Sequence, residues 1–131
     1  MRIALTTVGK TLDASMDARF GRCPYFLLVD AETLAIEAIK NTKVMLGANA
    51  GMEVVRLLES KGVTVVLTIH CGPNAFLAMA AAGIKVFTGC DGRAGDCLES
   101  LLANRLQQAT SANAPRHYGL GLWPRQGEGE Q

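Results

Sequence analysis

The stretch from Val63 to Ile69 constrains this chain most, because it is almost unbroken apolar and β-branched residues. That is the composition of a central parallel strand covered on both faces. Such a strand needs helices on either side, and the flanking sequence supplies them. From Gly51 to Ser60, Met52, Val54, Val55, Leu57 and Leu58 fall on one helical face, while Glu53, Arg56 and Ser60 share the other. Gly62 is a suitable stop. Gly72-Pro73 opens a second helix, with proline at the first helical position, where no amide hydrogen is needed. This Ala-rich helix runs to Ala82 and Gly83 ends it. Ile84 to Phe87 is the next strand, which completes a β-α-β unit. A last amphipathic helix is expected from about Gly95 to Gln107, with Leu98, Leu101, Leu102 and Leu106 on its buried stripe.

The first forty residues have a different rhythm. Arg2 to Thr7 places Ile3 and Leu5 on one face, and Tyr25 to Val29 is aromatic and β-branched, so both read as strands. A long loop, Val8 to Pro24, joins them. The turn Asp30-Ala31-Glu32-Thr33 leads into an alternating segment from Leu34 to Lys40, which predicts a hairpin. With 131 residues, one domain is expected. The fold class is α/β, with a five-stranded mixed sheet in the order 3-2-1-4-5 and three helices. Right-handed crossovers place the carboxyl ends of the first, third, fourth and fifth strands on one edge, with the N-termini of all three helices. From Ser111 onward the Pro/Gly-rich sequence reads as a flexible tail carrying His117 and Trp123.

Charge and cysteine content exclude several classes. Lys plus Arg number 13 against 12 Asp plus Glu, so no whole-molecule field attracts nucleic acid or anionic lipid. Neither a signal peptide nor a membrane-length apolar run is visible, so a cytoplasmic protein is expected. Cys23, Cys71, Cys90 and Cys97 form no C-x-x-C pair, which removes zinc-ribbon and thioredoxin readings. They are expected to be free thiols.

Four segments meet at the ligand-binding edge: Asp17 to Pro24, Gly47 to Gly51, Ile69 to Asn74, and Gly89 to Arg93. Helix starts offer amide hydrogens and a partial positive charge, to which Arg19, Arg22 and Arg93 add full charges. Thiolates select soft metals or sulfide clusters, and amides and guanidiniums suit the outer sulfides of an anionic one. Cys71 and His70 lead the candidates, since they end a strand just before a helix N-terminus expected to lower a thiol pKa. Cys90, at the end of the next strand, comes second. Asn49, Gly72 and Asn74 supply further hydrogen-bonding groups. Cys97 projects beside a leucine stripe and reads as packing.

Three of these segments also carry a resemblance. Phe20 to Asp30 (FGRCPYFLLVD), Gly47 to Gly51 (GANAG) and Cys71 to Gly89 (CGPNAFLAMAAAGIKVFTG) together resemble the dinitrogenase iron-molybdenum cofactor biosynthesis family. That family includes NifX, NafY, the C-terminal part of NifB and the stand-alone orange proteins, which hold a molybdenum-copper sulfide cluster. The resemblance implies a ribonuclease H-like three-layer fold and a metallocluster-binding domain over residues 1–108, followed by the tail, 109–131. It also implies a non-catalytic role in storing, assembling or delivering a Mo-Cu sulfide or related molybdenum-containing metal-sulfur cluster. The implied partners are that metallocluster and a P-loop ATPase or cofactor-assembly scaffold. The cysteine-bearing stand-alone form with Phe20-Gly21-Arg22-Cys23 looks more like the orange proteins, and Arg19 stands where NifX-like and NafY-like members tend to carry histidine, which argues against nitrogenase-cofactor delivery. In this reading Arg19, Arg22, Asn49, His70, Gly72, Asn74 and Arg93 surround the cluster, and Cys71 and Cys90 are its soft ligands.

Other functions compete on the residues alone. A two-metal nuclease needs carboxylates on the central strands, and Arg2 to Thr7 has none. Asp13, Asp17 and Asp30 read as loop and turn formers. A Cys71-His70 nucleophile pair is opposed by the alternation of side chains along a strand. Neither G-x-G-x-x-G nor a P-loop is present. A regulatory, protein-binding domain without metal stays open.

Overall fold

In the computed structural model, residues 1–43 and 50–113 are described, and Asn49, His117 and Trp123 lie outside them. The chain forms β1 (Arg2–Thr7), a 3-10 turn (Phe20–Arg22), β2 (Tyr25–Asp30), β3 (Ile36–Lys40), α1 (Ala50–Ser60), β4 (Val65–Leu67), α2 (Pro73–Ala81), β5 (Lys85–Phe87) and α3 (Ala94–Leu102). The sheet order is β3-β2-β1-β4-β5, as expected. β1 pairs antiparallel with β2, placing Leu5 opposite Leu27, and parallel with β4, placing Leu5 opposite Leu67. β3 extends the antiparallel side and β5 the parallel side.

Alternation along each strand divides the core between two faces. Ala4, Phe26, Leu28, Val66 and Val86 meet Val54, Val55 and Leu58 of α1 and Met79 of α2. Ile3, Leu5, Leu27, Val65 and Leu67 face the other way and pack with Cys97 and Leu98 of α3. The result is a three-layer, ribonuclease H-like α/β arrangement. Among the described residues, no helix is long and apolar enough to cross a membrane.

β4 and β5 are shorter than expected, Val65–Leu67 and Lys85–Phe87, and two further boundaries shift because of left-handed backbone. Leu34, expected to begin β3, has φ 63 and belongs instead to the hairpin turn, where the Asp30 carboxylate accepts from the Glu32 and Thr33 amides at 2.8 and 3.0 Å. α3 stops at Leu102 instead of continuing to Gln107, because Asn104 adopts φ 59. The amides of Asn104 and Arg105 then donate back to Leu101 and Ser100, as Gly62 and Gly83 arrange after α1 and α2. Leu102 is consequently exposed, while Leu106, now beyond the helix, packs on the core.

Candidate functional site

At the carboxyl edge, the three resembling segments meet through their glycines. A Cβ on Gly21 would lie 2.9 Å from the Gly51 nitrogen and 3.0 Å from its Cα, and one on Gly51 would lie 3.4 Å from the Ala75 Cβ. The Phe20–Arg22 turn therefore sits directly against the first turn of α1, which in turn touches α2. Phe20 anchors the turn from below, its buried ring edge-on to Phe26 at 6.3 Å. Asn41 holds it from the side, donating to the Gly21 and Cys23 carbonyls at 3.2 and 2.9 Å. Arg22 follows at this junction, half-buried.

Arg19 and His70 are brought together as partners in a parallel bridge, with the His70 amide donating to the Ala18 carbonyl at 3.1 Å. The buried Asp17 carboxylate accepts from the Arg19 amide at 2.8 Å and from its guanidinium at 3.3 Å through both oxygens. Asp17 is thus a turn former, and it also offsets much of the charge Arg19 would show a ligand. Beneath it, the Thr6 hydroxyl lies 3.0 Å from the Asp17 carbonyl and 2.9 Å from the Thr68 hydroxyl, joining the ends of β1 and β4.

The expected gathering at one edge divides in two. On the α3 side, the Ala94 and Gly95 amides donate to the carbonyls of Ala14 and Leu12 at 2.9 and 2.8 Å, so the β1–β2 loop closes that helix start. Arg93 there is exposed and pairs with Asp13 and Asp96 at 3.4 and 3.5 Å. On the α2 side, Gly72 is the N-cap, Pro73 opens the helix, and no side chain caps it. Arg19, Arg22, His70, Cys71, Gly72 and Asn74 belong to this second group. Cys90 and Arg93 do not, since Cys71 lies in the core under α1 and α2 and Cys90 in the core under α3.

The thiols correct a second expectation. Cys71 and Cys90 are 1% and 4% exposed, and burial pushes each thiol up to about 12, rather than down as proximity to a helix start suggested. Desolvation of a thiolate outweighs the helix dipole here. Burial also raises Cys23 and Cys97, and the Cys97 thiol donates to the Asp91 carbonyl at 3.2 Å, in keeping with a packing role. Among the described residues, no three His, Cys, Asp or Glu side chains are grouped to hold a metal ion.

A pH dependence follows. A thiol that ionises near 9.0 when unfolded and near 12 when buried costs no stability below about pH 9. Stability then falls from pH 9 to 12, as the unfolded chain gains thiolates the folded one resists. Urea midpoints measured across that range should decline, and less steeply in a Cys71→Ala, Cys90→Ala double variant. An identical slope in both proteins would contradict the assignment.

Reading the sequence missed Asn41 and Asn113. The Asn113 side chain accepts from the Cys71 amide at 2.8 Å and donates to the Ile69 carbonyl at 2.9 Å. Nothing local distinguishes either asparagine from an ordinary loop residue.

Known proteins agree with this architecture. The orange protein of Desulfovibrio gigas, solved in its apo form, is 38% identical, with a TM-score of 0.83 over 86% of this chain and 95% of that one. A Thermotoga protein assigned to NifB and the DUF35 family is 31% identical, with a TM-score of 0.73 over 86% and 96%. A protein of Methanocaldococcus jannaschii shares the fold at 13% identity, with a TM-score of 0.63 over 85% and 96%. No curated protein sequence matches the chain. The family description "Dinitrogenase iron-molybdenum cofactor" matches residues 1–104, and the chain belongs to that family.

Proposed function

We propose that this is a non-catalytic accessory protein that holds an anionic, molybdenum-containing metal-sulfur cluster, of the Mo-Cu sulfide type, for storage, assembly or delivery. The observation that carries this reading is the start of α2, with its glycine N-cap and no capping side chain, beside Arg22 and the Arg19–His70 bridge. Amides at a helix start favour anions, and the neighbouring segments carry Arg22 and Arg19, the latter paired with Asp17. Membership in a family named for the iron-molybdenum cofactor, and likeness to an orange protein, support the same ligand class.

The donor chemistry favours hydrogen bonds over metal-protein bonds. Neutral, buried thiols are poor ligands, whereas amide and guanidinium hydrogens suit peripheral sulfides. In this reading Arg19, Arg22, His70, Gly72, Asn74 and, outside the described residues, Asn49 contact the cluster. Cys71 lies behind them. The Cys90 side chain is buried in the core under α3 and Arg93 pairs with Asp13 and Asp96, so both contribute little. A recipient for the cluster would be a P-loop ATPase or an assembly scaffold.

The test is reconstitution of the apoprotein with tetrathiomolybdate and copper(I). Stoichiometric molybdenum with charge-transfer bands seen only on the folded protein is the expected result. Affinity should weaken markedly with salt. Cys71→Ser should retain affinity within about threefold, about 0.6 kcal/mol. A colourless protein that takes up no metal would end the cluster reading and favour a metal-free regulatory domain; a collapse of affinity in Cys71→Ser would restore the thiol as a direct ligand.

A further inference from the structure

Beyond α3 the chain turns at Asn104 and crosses to the outer side of β5, where the Ala109 amide donates to the Val86 carbonyl at 2.8 Å. It then reaches the end of β4. Here Asn113 engages the Cys71 peptide on both sides: its Oδ1 accepts from the Cys71 N–H at 2.8 Å, and its own N–H donates to the Cys71 carbonyl at 3.1 Å. Its Nδ2 donates to the Ile69 carbonyl at 2.9 Å. Residues 109–113, expected within the tail, are thus tied to the edge that carries the candidate site.

The Cys71 N–H lies one residue before the Gly72 N-cap of α2. The carboxamide oxygen of Asn113 is a neutral acceptor placed where an anion would be accepted. An ionised acceptor makes the stronger bond to an amide. The strap is also lightly seated, since Asn113 is exposed and an open cleft of about 500 Å³ lies between residues 107–113 and Thr88.

We propose that residues 109–113 form a displaceable gate, in which Asn113 occupies the Cys71 amide and yields it to an anionic metal sulfide. This gate rests on the function proposed above and adds regulation to that site. Because a ligand that must displace an internal competitor binds with reduced apparent affinity, loosening the strap raises affinity. A recipient that grips the strap would correspondingly tune retention of the cluster.

The experiment titrates tetrathiomolybdate into the full chain and into Asn113→Ala and Ala109→Pro, which release the strap at separate points. Binding is followed by visible absorption, and hydrogen exchange of the Cys71 amide is followed by NMR without ligand. Both variants should bind roughly fivefold to tenfold tighter than the parent, with faster Cys71 exchange. Amides of β1 should stay protected, which shows that the fold is intact; if Ala109→Pro loses that protection, Asn113→Ala alone decides. Equal or weaker binding by a folded variant overturns the gate while leaving the cluster reading in place. Failure of all three proteins to bind the probe removes both.

Discussion

Phe26→Ala is expected to lower folding stability by about 3–5 kcal/mol, the usual cost of emptying a phenylalanine site in a core. Phe26 is fully buried in β2, on the face covered by α1 and α2. Its ring also supports Phe20, the first residue of the 3-10 turn. The loss should therefore reach the site as well as the core. Against a typical domain stability of about 5–15 kcal/mol, it leaves a marginal protein. Urea unfolding would show the midpoint falling with little change in slope. A drop below about 1 kcal/mol would mean that the sheet and helices do not pack as described.

The second large effect is expected at Gly21. Gly21→Ala places a methyl group 2.9 Å from one backbone atom and 3.0 Å from another, and neither belongs to a side chain that can swing aside. Overpacking of this kind costs about 1–3 kcal/mol and would lever the turn away from α1. The neighbouring glycine provides the control. Gly51 is helical, and an added Cβ there meets only the Ala75 Cβ, at 3.4 Å. Gly51→Ala should be neutral or stabilising by about 0.5–1 kcal/mol, because alanine is the better helix former. Equal losses at the two glycines would refute the close approach of turn and helix.

Much of the fold was legible because burial on both faces leaves a plain record in composition. Val63 to Ile69 could only be central, and the hairpin and right-handed crossover then fixed the order. The boundaries at Leu34 and Asn104 were misplaced because these residues adopt a backbone region that glycine announces and other residues do not. The site was legible as a list and not as a shape. Which edge carries the chemistry followed from topology, but the closing of α3 by Leu12 and Ala14 depends on the path of a long loop. Likewise, the ionisation of Cys71 depends on how much protein surrounds it, and helix position alone gave the wrong sign. Asn113 acts across 42 positions through bonds that have no local pattern.

The uncapped start of α2 bears on how this chain can vary. Donors supplied by peptide bonds are present whatever residue stands at Asn74 or Ala75, so single substitutions there change the neighbourhood of a ligand without deleting its hydrogen bonds. What must be inherited is the course of the chain. Mutational tolerance should accordingly be broad at exposed helix positions and narrow at Gly21 and Pro73, and a scan for cluster retention would trace the backbone more faithfully than any set of ligand side chains.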